Sequence, residues 1–166
     1  MTKPIELPSL EKLNSILQYD HQNGIFVWKK TNTLAGKIRP SGYYQIGIDG
    51  KRYYSHRLAW KLFYNEEPPE LIDHIDGDKT NNKIENLRAS SKQGNAGNSK
   101  RNHNNTSGYK GVTWHNRDKH WVAQIRKNGK RVTIGAFNDP KLAHSAYMAA
   151  ATDHFGQFAS DGVRHD

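Results

Sequence analysis

The stretch Leu71-Ile72-Asp73-His74-Ile75-Asp76-Gly77-Asp78-Lys79-Thr80-Asn81-Asn82-Lys83-Ile84-Glu85-Asn86-Leu87-Arg88-Ala89-Ser90-Ser91-Lys92-Gln93-Gly94-Asn95-Ala96-Gly97-Asn98 sets the reading of the whole chain. Leu71 and Ile72 form a short apolar run that predicts a buried strand, and Asp73-His74 closes it. Turn-forming residues follow from Asp76 to Asn82. Asn86-Leu87-Arg88-Ala89 predicts a second short strand. Ser90 and Gln93 match a capping box, so a helix is expected to start there with Asn95 early on it. Strand, loop, strand and helix would then surround one carboxylate, one imidazole and one amide.

Those residue types suit the hydrolysis of a phosphodiester, which needs an activated water, relief of developing negative charge and a stabilised leaving oxygen. His74 is the candidate base, because an imidazole titrates near neutrality. Asp73 is the candidate carboxylate ligand of a metal ion, and Asn95 can add a neutral oxygen. Asn86 is expected to orient the His74 ring. One carboxylate and one amide oxygen select a hard ion that keeps several waters, Mg²⁺ or Mn²⁺, where zinc would want more imidazole or thiolate. Asp76, Gly77, Asp78, Asn81 and Asn82 are read as turn formers, and their spacing does not fit an EF-hand. An Asp-His pair alone is a weak signal; with Asn86 and Asn95 at strand, strand and helix spacing it becomes informative.

Composition points to the same class of substrate. The 166 residues carry 25 Lys and Arg against 16 Asp and Glu, a formal net charge of +9 and a pI of about 9.7. An excess of this size favours a polyanion, nucleic acid first. Hydrophobic residues make up 34% and the mean hydropathy is -0.94, which allows small cores and not one deep one. There is no cysteine, hence no disulfide framework and no thiolate zinc site. No apolar run approaches the ~18 residues of a membrane span. Met1-Thr2-Lys3-Pro4-Ile5-Glu6 lacks the apolar core of a signal peptide. An intracellular protein with no membrane partner and no small-molecule cofactor is expected, so the Asn-x-Ser/Thr matches at Asn104 and Asn105 carry no weight.

Upstream, Leu10, Leu13, Ile16 and Leu17 predict a helix over 9–19 with Ser9 as cap. Asn23-Gly24 precedes a strand, Ile25-Phe26-Val27-Trp28. Residues 43–48 and 51–54 predict a hairpin around Asp49-Gly50. Residues 56–64 predict a helix with Leu58, Trp60, Leu62 and Phe63 on its core face, stopped by Pro68-Pro69. Downstream, 99–108 is rich in Asn, Ser, Lys and Arg and reads as a linker or DNA-tracking arm. Residues 109–114, 119–126 and 130–137 then predict three strands, with Asn128-Gly129 turning the last hairpin. Asp139 and Pro140 open a helix carrying Leu142, Ala143, Ala146, Tyr147 and Ala150. Alternation puts Trp121, Ala123, Ile125, Val132 and Ile134 inward, with Trp114 also assigned to the core. His120, Gln124, Arg126, Arg131 and Thr133 face outward, a basic and polar face of the kind that enters a major groove. The fold class is α+β. The expected domains are 1–100, a linker over 101–108, and 109–166, a three-stranded antiparallel sheet packed on one helix.

The string Asp73 to Asn82, then Glu85-Asn86-Leu87-Arg88, then Asn95 and Asn98, resembles the HNH endonuclease motif of phage and intron-encoded homing endonucleases. His56-Arg57-Leu58 upstream is similar to the same family. The resemblance implies a ββα-metal nuclease domain with one divalent ion, His74 as general base, Asp73 and Asn95 on the metal, and Asn86 bracing the centre. Asn98, one turn along the same helix, is the other candidate ligand. Ser107-Gly108-Tyr109-Lys110-Gly111-Val112, with Trp121 to Arg126, Ile134 to Phe137 and Ala143 to Tyr147, resembles the Apetala-type DNA-binding domain. That family reads DNA from its exposed sheet. The resemblance implies DNA-facing places for Lys110, Thr113, Gln124, Arg126, Arg131 and Thr133. Thr113, Gln124 and Thr133 stand where that family has arginine, glutamate and tryptophan, so its target sequence does not transfer.

The function expected is a metal-dependent endonuclease acting on double-stranded DNA. Phosphate contacts would come from Lys100, Arg101, Arg126, Lys127, Lys130 and Arg131. A monomer with one centre would nick one strand of a long site. If the gene is phage-borne, as the resemblance suggests, it works in the cytoplasm of a bacterial host. The competing expectation is a DNA-binding protein with a decayed nuclease centre; against it, every motif position holds a competent residue.

Overall fold

In the computed structural model, which describes residues 5–99 and 101–163, Ser9 accepts a hydrogen bond from the Lys12 amide and caps helix α1 (Leu10–Ile16). The helix stops sooner than its apolar spacing predicts. Leu17 is extended and begins strand β1 (Leu17–Asp20), which pairs antiparallel with β2 (Ile25–Trp28). Cross-strand packing wins over helical periodicity here: Tyr19 stacks on its register partner Phe26 with ring centroids 4.6 Å apart. A short β3 (Thr33–Leu34) extends this sheet.

A second sheet contains β4 (Lys37–Ile38), β5 (Tyr44–Ile48) and β6 (Lys51–Tyr54) in that order. Asp49 and Gly50 turn the β5–β6 hairpin with φ of 49° and 74°, the positive pair that a tight hairpin turn requires. Helix α2 (Ser55–Tyr64) follows at once and ends on Asn65 in the left-handed region. Leu58 and Ala59 of α2 are fully buried with Leu13, Leu17, Phe26 and Ile46. Phe63, expected in this core, is 41% exposed; Trp60 and Leu62 pack against the core in part.

Strands β7 (Leu71–His74) and β8 (Leu87–Ser90) pair antiparallel, and a 3₁₀ turn over Ile84–Asn86 leads into β8. The chain then divides into two compact units, 1–90 and 91–166. Ser90 is still paired with Leu71, so the cap of helix α3 (Lys92–Gly97) falls to Ser91, which accepts from the Gly94 amide. This corrects the expected cap at Ser90.

In the second unit β9 (Val112–His115), β10 (His120–Lys127) and β11 (Lys130–Phe137) form an antiparallel sheet with β10 central. Asp139 caps helix α4 (Pro140–Phe155) through the Lys141 amide. Val112, Ala123 and Ile125 pack on Ala143, Tyr147 and Ala151, and the small helix residues let helix and sheet approach closely. The register shifts between Ala123 and Gln124, a bulge that takes Ile134 out of the pairing. Strand β11 adds no fully buried side chain, and Val132, expected inward, is 41% exposed. Trp114 is also partly exposed, with its ring edge-on to Trp121 at 4.9 Å. The stretch 101–108 is tied into this unit: the Arg101 amide donates to the Gly162 carbonyl, and Ser107 Oγ bonds the Tyr109 and Val112 carbonyls.

Gly111 has a φ of 75°, and a Cβ built there would lie 2.0 Å from the Tyr147 ring. Gly129, at φ 78°, has open space around it. Gly111→Ala should therefore lower unfolding stability by roughly 3 kcal/mol or more, combining overpacking with the left-handed penalty, while Gly129→Ala carries only the latter, about 1–2 kcal/mol. Urea denaturation of both variants checks the difference; equal losses would mean that Tyr147 moves aside freely.

Candidate functional site

Successive residues of a strand point to opposite faces, and β7 uses this to separate two neighbours. Asp73 faces its register partner Arg88, whose Nε and Nη2 donate to Asp73 Oδ2 at 3.0 and 2.7 Å. His74 turns the other way and is 5% exposed. Its ring lies edge-on to His56 at 5.2 Å, with Tyr43 at 6.2 Å. Burial pushes the His74 pKa below its ordinary value, and the ring's hydrogen bond to the Asn82 side-chain oxygen and nearby carboxylates oppose that shift. Burial, then the neighbouring His74, pushes His56 down to about 3. Both rings are neutral near pH 7, and the Nδ1 of His56 is buried with no hydrogen-bond partner among the described residues.

The side chain that faces the His74 ring nitrogen is Asn82, which sequence reasoning left as a turn former. Asn82 is 2% exposed, and its Oδ1 is 3.3 Å from His74 Nε2. Its Nδ2 donates to the Thr80 carbonyl at 3.0 Å. That second bond settles which end of the amide points at the imidazole: Oδ1 does, so Nε2 carries the ring proton and Nδ1 carries the lone pair. The backbone of Asn82 is held from the first hairpin. Tyr19 donates its hydroxyl to the Asn82 carbonyl at 2.6 Å, and Ile84 N donates to the His21 carbonyl. Gly24 lies so close that a Cβ on it would be 2.4 Å from Lys83 N and 2.6 Å from the Asn82 carbonyl carbon.

Asn86 takes a different place from the one expected. Its Oδ1 accepts from the Asp76 amide, and its Nδ2 donates to Asp76 Oδ1 and the Asn81 carbonyl. It braces the loop and not the His74 ring. Asp76 and Asp78 engage their carboxylates within the same loop, with Asn81, Asn86 and the Asp78 amide, and with Thr80, as turn formers do. Arg57 of α2 donates to the Pro69 carbonyl at 2.9 Å and fixes the entry to β7. Asn95 is on α3, in the second unit; its Oδ1 is buried with no hydrogen-bond partner among the described residues. Asn98, the alternative ligand, is the C-cap of that helix.

On the sheet of the second unit, Thr113, Arg126, Arg131 and Thr133 are exposed and Gln124 is half-buried. Gln124 pairs with Thr133 and Arg126 with Arg131, so these four share the outer face. Lys127 and Lys130 pair next to the turn. Like charges directly opposite each other destabilise a sheet, and a bound polyanion would relieve both pairs. Lys110 does not belong to that face. It is 8% exposed, its Nζ donates to the Gly97 carbonyl at 2.7 Å, and burial pushes its ammonium pKa down to about 8. Arg101 is exposed, with its guanidinium bonded to the Gly108 carbonyl. Lys100 lies outside the described residues. Among the described residues no helix is long and apolar enough to cross a membrane.

A family model for HNH endonuclease matches residues 53–96, and one for the AP2 domain matches residues 107–153. Protein 3.8 of Escherichia phage T7 is 38% identical over 105 residues, 63% of this chain and 86% of that protein. An uncharacterized HNH endonuclease of Acanthamoeba polyphaga mimivirus is 29% identical over 135 residues, 80% of this chain and 69% of its own. Among solved structures, one of DNA binding and cleavage by the HNH homing endonuclease I-HmuI is 28% identical, with 55% of each chain covered and a TM-score of 0.44. The chain thus spans about half the length of that nuclease.

The Asn82 contact predicts a protonation pattern that nitrogen NMR reads directly. At neutral pH the His74 ring should show a protonated Nε2 and an unprotonated Nδ1. Asn82→Ala should let the Nδ1-protonated form appear, and a tautomer unchanged by that substitution would remove Asn82 from control of the ring.

Proposed function

Because this chain belongs to the HNH endonuclease family, with an AP2 domain behind the nuclease motif, we propose that it is a metal-dependent DNA endonuclease of the homing type, nicking or cutting duplex DNA at a long site. The observation that carries this reading is the buried, neutral His74, whose Nε2 proton is directed at Asn82, so that Nδ1 is the basic nitrogen of the ring. His74 takes a proton from the water that attacks phosphorus, and the Asn82 oxygen keeps its hydrogen bond to the imidazolium that forms. Arg88 holds Oδ2 of Asp73 and so fixes the carboxylate's orientation. Asn86 keeps the intervening loop in shape.

The donor set fits a hard divalent ion, Mg²⁺ or Mn²⁺. Asp73 offers the carboxylate; the amide oxygen of Asn95, which the motif implies as a second ligand, has no hydrogen-bond partner among the described residues. Such an ion, when bound, supplies neutralisation of charge on the phosphate and stabilisation of the leaving oxygen. The AP2 unit supplies position on the duplex. Thr113, Gln124 and Thr133 meet the groove from the outer face, and Arg101, Arg126, Lys127, Lys130 and Arg131 contact phosphates.

With Mg²⁺, the protein should nick or cut DNA of the genome that encodes it. His74→Ala should slow cleavage by roughly 10²- to 10⁴-fold, with DNA affinity in a gel shift retained; undiminished cleavage would place the base elsewhere.

Arg126→Ala and Arg131→Ala should each reduce the slope of log affinity against log salt by about one, without slowing cleavage at saturating DNA. A slope equal to that of the parent protein would take these arginines off the phosphates.

A further inference from the structure

The turn between β9 and β10 carries three metal-binding side chains that the nuclease reading leaves unused. His115 and His120 are register partners at the end of the two strands. Trp114 and Trp121 are the adjacent pair, so both imidazoles stand on the opposite, outer face. Their rings stack with centroids 5.4 Å apart and 11° between planes. Lys119 folds the chain back in the left-handed region, at φ 51°, and returns His120 to a place beside His115. Asp118 lies between them in the turn, with Oδ2 3.2 Å from His115 Nδ1.

One ligand atom from each of the three lies within 4.8 Å of the others. A tetrahedral zinc ion with bonds of about 2.0–2.2 Å needs donor atoms roughly 3.4 Å apart. His115 and Asp118 are 46% and 40% exposed, so small side-chain rotations close the gap. A second observation bears on His120. Its Nδ1 lies 3.2 Å from the Asp118 carbonyl oxygen, an acceptor only, so that nitrogen carries the proton and Nε2 carries the lone pair. Histidines that ligate metals are oriented in this way, by donating the other ring N–H to a carbonyl or carboxylate. Arg117 donates to Asp118 Oδ1 at 2.9 Å, which fixes the carboxylate with Oδ2 toward His115.

We propose that His115, Asp118 and His120 form a zinc-class transition-metal site on the outer face of the AP2 sheet, with at least one coordination position open. Two imidazoles and one carboxylate are a nitrogen-rich set that selects zinc over magnesium. The site is carried entirely by residues 115–120 and does not rest on the nuclease reading. A bound ion would join β9 to β10 across the turn and add positive charge on the side of the sheet that bears Arg126 and Arg131.

The test is a Zn²⁺ titration of the full chain carrying Asp73→Asn, which removes the carboxylate of the proposed nuclease centre. Millimolar Mg²⁺ is present throughout to occupy sites that prefer a hard ion. One equivalent of Zn²⁺ should bind with a micromolar or tighter Kd, and the ring nitrogens of His115 and His120 should shift in NMR spectra. Adding His120→Gln or His115→Gln should weaken binding at least tenfold, with circular dichroism and melting of the metal-free protein unchanged. Failure to bind Zn²⁺, or equal affinity in both histidine variants, would overturn the site and leave the three residues as a surface ion pair beside a stacked imidazole. Neither result bears on whether the chain cleaves DNA.

Discussion

A single buried amide governs the chemistry of the first unit. Asn82 is sealed from water, so both ends of its side chain must find partners inside the protein. Rotating the amide by half a turn would set its oxygen against the Thr80 carbonyl and its N–H groups against the imidazole. The loss of the Thr80 bond would cost about 1–3 kcal/mol with no water to replace it. The orientation is therefore fixed by satisfaction of polar groups, and through it the protonation of His74. The hydrogen bond to Asn82 places the ring proton on Nε2, and burial beside His56 and Tyr43 lowers the ring's pKa.

The second unit divides its labour between two faces. The inner face is small and tight: alanines at 123, 143 and 151 are fully buried, and Gly111 lies against the Tyr147 ring. The outer face places cation opposite cation at the β10–β11 turn, an arrangement that weakens the isolated sheet. Stability comes from the first face and makes the second tolerable. The bulge after Ala123 sits between them and re-phases the strands, so that Gln124 and Thr133 come opposite each other on the outer side.

Much of the architecture could be read in advance because its signals are local. Asp49-Gly50 and Asn128-Gly129 need positive φ and are found with it. Ser9 and Asp139 cap helices through neighbouring amides. The Asp73-His74 pair falls at the end of a strand, as its apolar run implied. What escaped was set by distant partners. Asn82 looks like any turn asparagine until Tyr19 and Gly24 close over its backbone. Lys110 looks like a phosphate ligand until the Gly97 carbonyl takes its ammonium. Val132 and Phe63 have the right spacing for a core, but the packed clusters do not extend to them. Ser90 has the right neighbours for a cap but is still a strand residue.

The close approach of Gly24 to the Asn82–Lys83 peptide has a consequence for how this fold could be taken apart. The motif that identifies the family begins well downstream, at residue 53. Yet the peptide behind His74 is shaped by a hairpin that the motif excludes. A transplant of the recognisable segment into another scaffold would arrive without the backing that Tyr19 and Gly24 give the Asn82 backbone. The smallest portable piece that keeps this backing starts with the strand at Leu17.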